Sequence, residues 1–404
     1  MSTGDRKALG QPVPLAGGLG CLGSPQSLGS RDSASRQGYA ASMIRTLFAS
    51  LAVGLALLSG AAAQERVVNV YNWSDYIDPK VLEDFTKETG IKVTYDTYDN
   101  NEIVETKLLA GKSGYDVVVP SGPFLQRLIK AGAFQKLDKA KLPNLTHMWP
   151  EVMQRLQVFD PGNQYAVNYM WGTTGIGLNV RKVRERLGTQ PLNTWDIVLK
   201  PEFATRLKDC GVQVLDAPED VFPNVLNYLG LNPDSKKPED LQRAGDAMFR
   251  VRGAVQKFHS SEYINGLANG DLCMAVGYSG DVIQAKKRAE EAKNDVEIAY
   301  LIPREGALMW FDSIAIPADA RNVAEAHAFI DFLMRPQVAA ANANFVAYAS
   351  GNLAAKQFVK PELANDPSVY PDEATFKRLF TNTAYDDRSQ RLVTRLWTRV
   401  KTGR

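Results

Sequence analysis

Arg66-Val67-Val68-Asn69-Val70-Tyr71-Asn72 is a short apolar run of strand type, and it ends in Trp73-Ser74-Asp75-Tyr76. The segment after it carries Val81, Leu82 and Phe85 on one helical face and stops at Gly90. Ile91, Val93 and Tyr95 alternate as a second strand. Glu102 to Ala110 reads as a helix, with Val104 and Leu108 one turn apart and Gly111 as its stop. Asp116-Val117-Val118-Val119 is a third strand, halted by Pro120-Ser121-Gly122, and Phe124, Leu125, Leu128 and Ile129 form a helical face that ends at Gly132. This repeated order of strand and helix predicts an α/β fold, a parallel sheet with helices on both faces. Ligands of such sheets bind beyond the carboxyl ends of the strands, which is where Trp73–Tyr76 and Ser121 fall.

A second unit begins near Gly172-Thr173-Thr174-Gly175-Ile176-Gly177, a Gly-rich strand region. It has neither the Lys nor the spacing of a phosphate loop, which argues against nucleotide binding. Val212–Leu215 reads as a strand leading to Asp216-Ala217-Pro218-Glu219-Asp220, and Val221–Leu229 as a helix. Glu219 and Asp220 stand at its start, where the helix dipole favours anions, so plain capping is one reading of them. Asp271–Gly277 is a strand that delivers Tyr278 and Asp281 to its end. Ile298–Ile302 and Ser313–Ile316 are further strands, and Val323–Met334 is a helix with Ala326, Phe329, Ile330 and Leu333 on its apolar side.

The 404 residues suffice for two domains with proper cores. Met43-Ile44-Arg45 opens a short positive region, Leu47–Leu58 is apolar but short for a membrane span, and Ala61-Ala62-Ala63 offers small residues to a signal peptidase. A secretory signal over 43–63 is expected, with cleavage after Ala63. Residues 1–42, rich in Gly, Ser and Arg, are expected to be a misassigned start or disordered. The formal charge of +2 belongs to this leader. Residues 1–63 hold five Lys/Arg and two Asp/Glu, which leaves 42 basic and 43 acidic residues in the mature part. With no basic run there, nucleic acid and anionic membrane are poor partners. Cys210 and Cys273 are the two cysteines left. In an oxidising compartment they pair as a disulfide, worth roughly 4 kcal/mol in the chain-entropy model; the alternative is two buried free thiols.

One chemical pairing occurs three times: Trp73-Ser74-Asp75-Tyr76, Tyr278-Ser279-Gly280-Asp281 and Trp310-Phe311-Asp312. Each sets aromatic rings beside a carboxylate at the end of a strand-like run. Ring faces attract positive charge and carboxylates accept its N–H bonds, so the combination suits an organic cation. The plainer readings are that Trp73 and Trp310 are core aromatics and that Asp75 caps the following helix. Asp312 lies within a strand pattern with no basic neighbour in sequence, and a carboxylate buried there is costly without a cation. Catalysis has less support: His147, His259 and His327 are scattered without metal-ligand spacing, and no G-x-S-x-G elbow occurs.

Over nearly all of residues 66–402 the chain resembles the periplasmic putrescine/spermidine-binding proteins of polyamine ABC transporters, most closely the putrescine-binding type. The marks are Asn72-Trp73-Ser74-Asp75-Tyr76-Ile77, Asp116–Ser121, Asp216–Phe222, Phe258-His259-Ser260-Ser261, Leu267–Asp271, Gly277–Asp281, Tyr348 and Arg395-Leu396-Trp397-Thr398. The resemblance implies a two-lobed periplasmic binding protein (type II) fold, each lobe a mainly parallel sheet flanked by helices, with crossover strands between them. The expected lobes are 64–170 with 312–350, and 171–311 with 351–404. Ligand contacts are implied at Trp73, Ser74, Asp75, Tyr76, Ser121, Asp220, Tyr278, Asp281, Trp310, Asp312 and Tyr348. Asp220 stands where the family usually has Glu, Tyr278 where Trp is common, and Trp310 where the putrescine type often has Phe. The family pattern also pairs cysteines at positions matching Cys210 and Cys273. The expectation is a monomeric, non-enzymatic periplasmic receptor without cofactor or metal, which passes putrescine, or secondarily spermidine, to a membrane permease. In it, Asp281 and Asp312 hold one end of the amine, and Asp75 and Asp220 contribute at the other. An exported hydrolase using paired carboxylates and a polyamine sensor without a transport role are the rivals.

Overall fold

The structure is a computed structural model and describes residues 65–404. The expectations for residues 1–42 and for the signal peptide over 43–63 lie outside the described residues. Ten strands form the sheet: β1 (Val67–Trp73), β2 (Lys92–Tyr98), β3 (Val117–Val118), β4 (Ala166–Asn179), β5 (Val212–Val214), β6 (Lys257–Phe258), β7 (Met274–Tyr278), β8 (Ile298–Leu301), β9 (Leu308–Ala315) and β10 (Ala349–Ser350). The main order is β2-β1-β3-β9-β4-β7-β5-β6, with β8 and β10 pairing β4.

Two parallel sets lie within this order. β1 pairs β2 and β3 in parallel at one end, and β5 pairs β6 and β7 in parallel at the other. β9 and β4 run antiparallel to their neighbours between the sets. The fold is thus α/β and two-lobed, with β4 and β9 as crossover strands. The expected strand–helix alternation is present in the first half: helices Pro79–Thr89, Asn101–Leu109 and Gly122–Lys130 follow β1, β2 and β3. The first shows why the sequence starts and stops it there. Asp78 caps it by accepting from Lys80 N, Pro79 occupies the first turn, and Gly90 takes φ 69° so that its N–H reaches Thr86 O.

The crossover strands are longer than the sequence signals. The Gly-rich region at 172–177 is the second half of the 14-residue β4, and the strand expected at Ser313–Ile316 begins at Leu308. Both strands are buried throughout, so neither shows the apolar/polar alternation that marks a half-exposed strand.

The cores follow this division. One gathers Leu178, Val214, Phe222, Val276 and Val282 with Tyr385, Trp397 and Val400 from the end of the chain. Two others flank the β1–β3 set, one around Val68, Phe85, Ile314 and Phe329, the other around Val104, Leu125 and Phe311. Ala355, Val359, Leu363, Val369 and Leu379 pack with Leu125 and Phe311. Cys210 and Cys273 form a disulfide that closes a loop with a sequence separation of 63.

Candidate functional site

The strand ends and the crossover strands meet at a narrow cavity with about 500 Å³ of non-atom space, its mouth included. Ten of the eleven residues singled out above line it: Trp73, Ser74, Tyr76, Ser121, Asp220, Tyr278, Asp281, Trp310, Asp312 and Tyr348. Asp75 does not. Its backbone turns back at φ 54°, and its carboxylate pairs with Arg288 Nη2 at 2.9 Å. Nor does Asp75 cap the next helix, since Asp78 does.

The turn after β1 is fastened to β2 and to the residues after β3. Ser74 N donates to Tyr98 O at 2.9 Å, and Trp73 Nε1 donates to Val119 O at 2.9 Å. Ser121 follows Pro120 at the mouth of the helix Gly122–Lys130, with its N–H donating to Asn101 Oδ1 at 3.0 Å. Its hydroxyl donates to Asp312 Oδ1 at 2.6 Å, while Tyr76 OH donates to Asp312 Oδ2 at 2.8 Å.

Trp310 and Asp312 sit inside β9, so the reading of Asp312 as a carboxylate within a strand holds, and the run continues past the pair on both sides. Side chains two apart in a strand share a face, so this crossover presents a ring and a carboxylate to the cavity together. Asp312 is 4% exposed and has only hydroxyl partners on its side chain. Burial pushes its carboxyl up to about 7, against the pull of the Ser121 and Tyr76 hydrogen bonds; nearby Asp281 adds to the rise.

Asp281 lies in the first turn of helix Ser279–Ala292, directly after β7. Its two oxygens accept from Tyr263 OH at 2.7 Å and Tyr348 OH at 2.6 Å. Burial raises it to about 6, again opposed by its two hydroxyl donors. Asp220 lies in the first turn of helix Pro218–Tyr228 with Glu219, where the dipole favours acids, but neither side chain caps the helix by a hydrogen bond. Its Oδ2 accepts from Tyr278 OH at 3.0 Å. Burial raises it to about 8; the Tyr278 bond opposes this, and Glu102, Glu219 and Asp312 add to it.

The rings form an edge-to-face chain. Tyr278 and Trp310 are 5.6 Å apart between centroids, Trp310 and Tyr348 5.2 Å, and Tyr348 and Tyr76 5.3 Å. Two glycines make room for it. A Cβ at Gly172 would lie 2.6 Å from the Trp310 ring, and one at Gly280 2.5 Å from the Tyr348 ring. The glycines at both positions therefore serve ring packing against backbone.

The sequence reading missed Tyr98, Asp99, Ser260, Ser261 and Ile264, which also line the cavity. Tyr98-Asp99 is a fourth ring–carboxylate pair at the end of a strand, so the rule that found the others reaches it too. The buried Ser260 hydroxyl has no hydrogen-bond partner among the described residues. None of the three histidines lines the cavity; His327 is buried and accepts from Asp138 N at 2.9 Å.

Residues 80–371 match the model of the family described as bacterial extracellular solute-binding protein. The chain belongs to this family. It is 51% identical over 361 residues to the putrescine-binding periplasmic protein SpuD of Pseudomonas aeruginosa, covering 89% of this chain and 98% of the relative. To the putrescine-binding periplasmic protein PotF of Escherichia coli it is 49% identical over 345 residues, covering 85% and 93%. Among solved structures, a putative spermidine/putrescine ABC transporter from Listeria monocytogenes superposes with a TM-score of 0.76 at 32% identity, covering 84% of this chain and all of that one.

Proposed function

We propose that the protein is a monomeric periplasmic receptor that captures a linear polyamine, putrescine first and spermidine second, and delivers it unchanged to the membrane permease of an ABC transporter. The observation that carries this reading is the set of three carboxylates, Asp220, Asp281 and Asp312, whose side-chain partners are all hydroxyl groups. Among the described residues none of the three is paired with a Lys, Arg or His. A cavity of this kind favours a ligand that brings its own cations. The relatives named for putrescine binding support the same ligand class.

In this proposal the two ammonium groups of a diamine sit at Asp281 and Asp312. Tyr348 donates to the first and Tyr76 to the second, and the two rings pack edge to face between them. This revises the end-assignment expected from sequence, because Asp75 is engaged by Arg288 outside the cavity. Trp73, Tyr76, Tyr278, Trp310 and Tyr348 surround the methylene spacer, with cation–π contributions of roughly 0.5–2 kcal/mol each. Ser74 and Ser121 complete the wall, and Asp75 acts through Arg288. The lobes divide at about residues 170 and 312. The last helix belongs to the second lobe and 355–379 to the first, on the strength of its packing.

Calorimetric titration of the mature protein with putrescine and spermidine tests this. Micromolar binding, about −8 kcal/mol, is expected, with a melting temperature that climbs with amine concentration and recovery of intact amine. Conversion of the amine would favour the hydrolase reading, and unimpaired uptake in a deletion strain the sensor reading.

A further inference from the structure

The three carboxylates are not equivalent. Asp281 and Asp312 each accept from two hydroxyl groups, whereas Asp220 accepts from Tyr278 alone. Asp220 also faces more negative charge. Glu219 precedes it on its own helix, Glu102 approaches from Asn101–Leu109 and Asp312 from β9. Tyr278 and Tyr385 are the neutral titratable groups beside it. Arg127, the cation beside Glu102 and Glu219, is committed to Glu105 and Glu219.

Charge counting in a closed cavity then gives a definite result. Three ionised carboxylates carry three negative charges, and a diamine supplies two positive ones. The remaining charge would be buried without a partner, at a cost that protonation removes. A triamine supplies the third positive charge. We propose that Asp220 is a proton-governed specificity residue: it keeps a proton when a diamine fills the cavity and releases it to solvent when the third ammonium of a triamine arrives. The three acids plus ligand are neutral in both complexes, and Asp99, half-buried in the same lining, adds the same charge to each and leaves their difference unchanged. The preference for triamine over diamine therefore rises with pH, because only the triamine complex requires the proton to leave. Burial already raises the Asp220 carboxyl to about 8, which places the change in the range where alkylammonium groups stay charged. The inference rests on the polyamine reading of the cavity.

Titration calorimetry of the mature protein at pH 7, in two buffers of different ionisation enthalpy, counts the protons released by putrescine and by spermidine. Spermidine is expected to release about one proton more, and the ratio of spermidine to putrescine affinity to rise about tenfold per pH unit, about a hundredfold between pH 6 and 8. Both differences should vanish in Asp220→Asn. If both amines bind the wild type with equal proton release and a ratio independent of pH, the inference is overturned and the polyamine reading stands. Persistence of the difference in Asp220→Asn also overturns it. Failure of both amines to bind removes the reading beneath it.

Discussion

Arg127 and Glu219 form an ion pair, Nη1 to Oε2 at 3.1 Å, that joins the two halves of the molecule. Arg127 stands on the helix Gly122–Lys130, which packs in the core with Phe311; Glu219 stands on the helix Pro218–Tyr228, which packs in the core with Val276. Arg127 also holds Glu105 through both ends of its guanidinium, at 2.7 and 3.1 Å, and is thereby aimed at Glu219. The Glu219 side chain is only 4% exposed. In an open form water solvates it; in the closed form it depends on Arg127. Arg127→Ala is expected to weaken polyamine binding by about 2 kcal/mol, roughly thirtyfold, mainly through faster release. Stopped-flow dissociation measures this. Unchanged release with a lowered melting temperature of the free protein would show that the pair serves folding instead. The Asp75–Arg288 pair also joins the halves, but both partners are about a third to a half exposed, so salt screens it and its share is smaller.

Gly172 faces Trp310 across the β4–β9 pair. A methyl group there would lie 2.6 Å from the ring, and the ring has Tyr278 and Tyr348 against it. Gly172→Ala should therefore cost about 1–3 kcal/mol of stability and displace Trp310. Thermal melts and titration of the same variant should fall together. A variant with native melting and native affinity would mean that β4 relaxes away from the ring at no cost.

The strand–helix alternation of residues 66–132 was legible because each strand ends at a turn and each helix has a periodic apolar face and a glycine stop. The crossover strands were not, because burial on all sides removes the alternation that marks a strand. At the site, Trp73, Tyr278 and Asp312 were visible as ring–carboxylate pairs next to apolar runs. Tyr263, which donates to Asp281, carries no such signal, since it lies in a short helix between Ile264 and Glu262. The Arg127–Glu219 and Asp75–Arg288 pairs join residues 92 and 213 positions apart. Nothing local in the chain marks these partners, so the sequence that places Asp75 in the expected ligand set does not show its pairing with Arg288.

The cleft acids predict how the ligand-free protein responds to pH. In the closed form Asp281, Asp312 and Asp220 are raised to about 6, 7 and 8, all by burial first. In an open, wet cleft they return toward the ordinary carboxyl value of about 4. The closed form therefore binds more protons between about pH 4 and 8. It is favoured at the low end of that window and loses its advantage as pH rises through the raised values. Small-angle scattering of amine-free protein should show a smaller radius of gyration at pH 5 than at pH 8, with the difference abolished by saturating putrescine. A radius that is constant from pH 5 to 8 without ligand would contradict the proposed solvation of these acids on opening.

Asp312→Asn separates binding from folding most directly. The substitution nearly keeps the shape, accepts from one of Tyr76 and Ser121 at its amide oxygen and donates its NH2 to the other hydroxyl, but it removes the charge. If Asp312 holds a ligand ammonium in the closed cavity, the change should cost roughly 2–5 kcal/mol of binding. Folding of the free protein should survive, because in an open, wet cleft the carboxylate is solvated and its charge is not needed for the fold. A purely structural aspartate would give the reverse, weaker folding with near-native affinity, because its two hydroxyl bonds would then be the whole of its role. Calorimetric titration with putrescine and melts of the unliganded protein, both at pH 8 where the wild-type carboxyl is ionised, distinguish the two. Native polyamine affinity in Asp312→Asn would remove this residue from the binding set, and with it the assignment of a diamine's second end to β9.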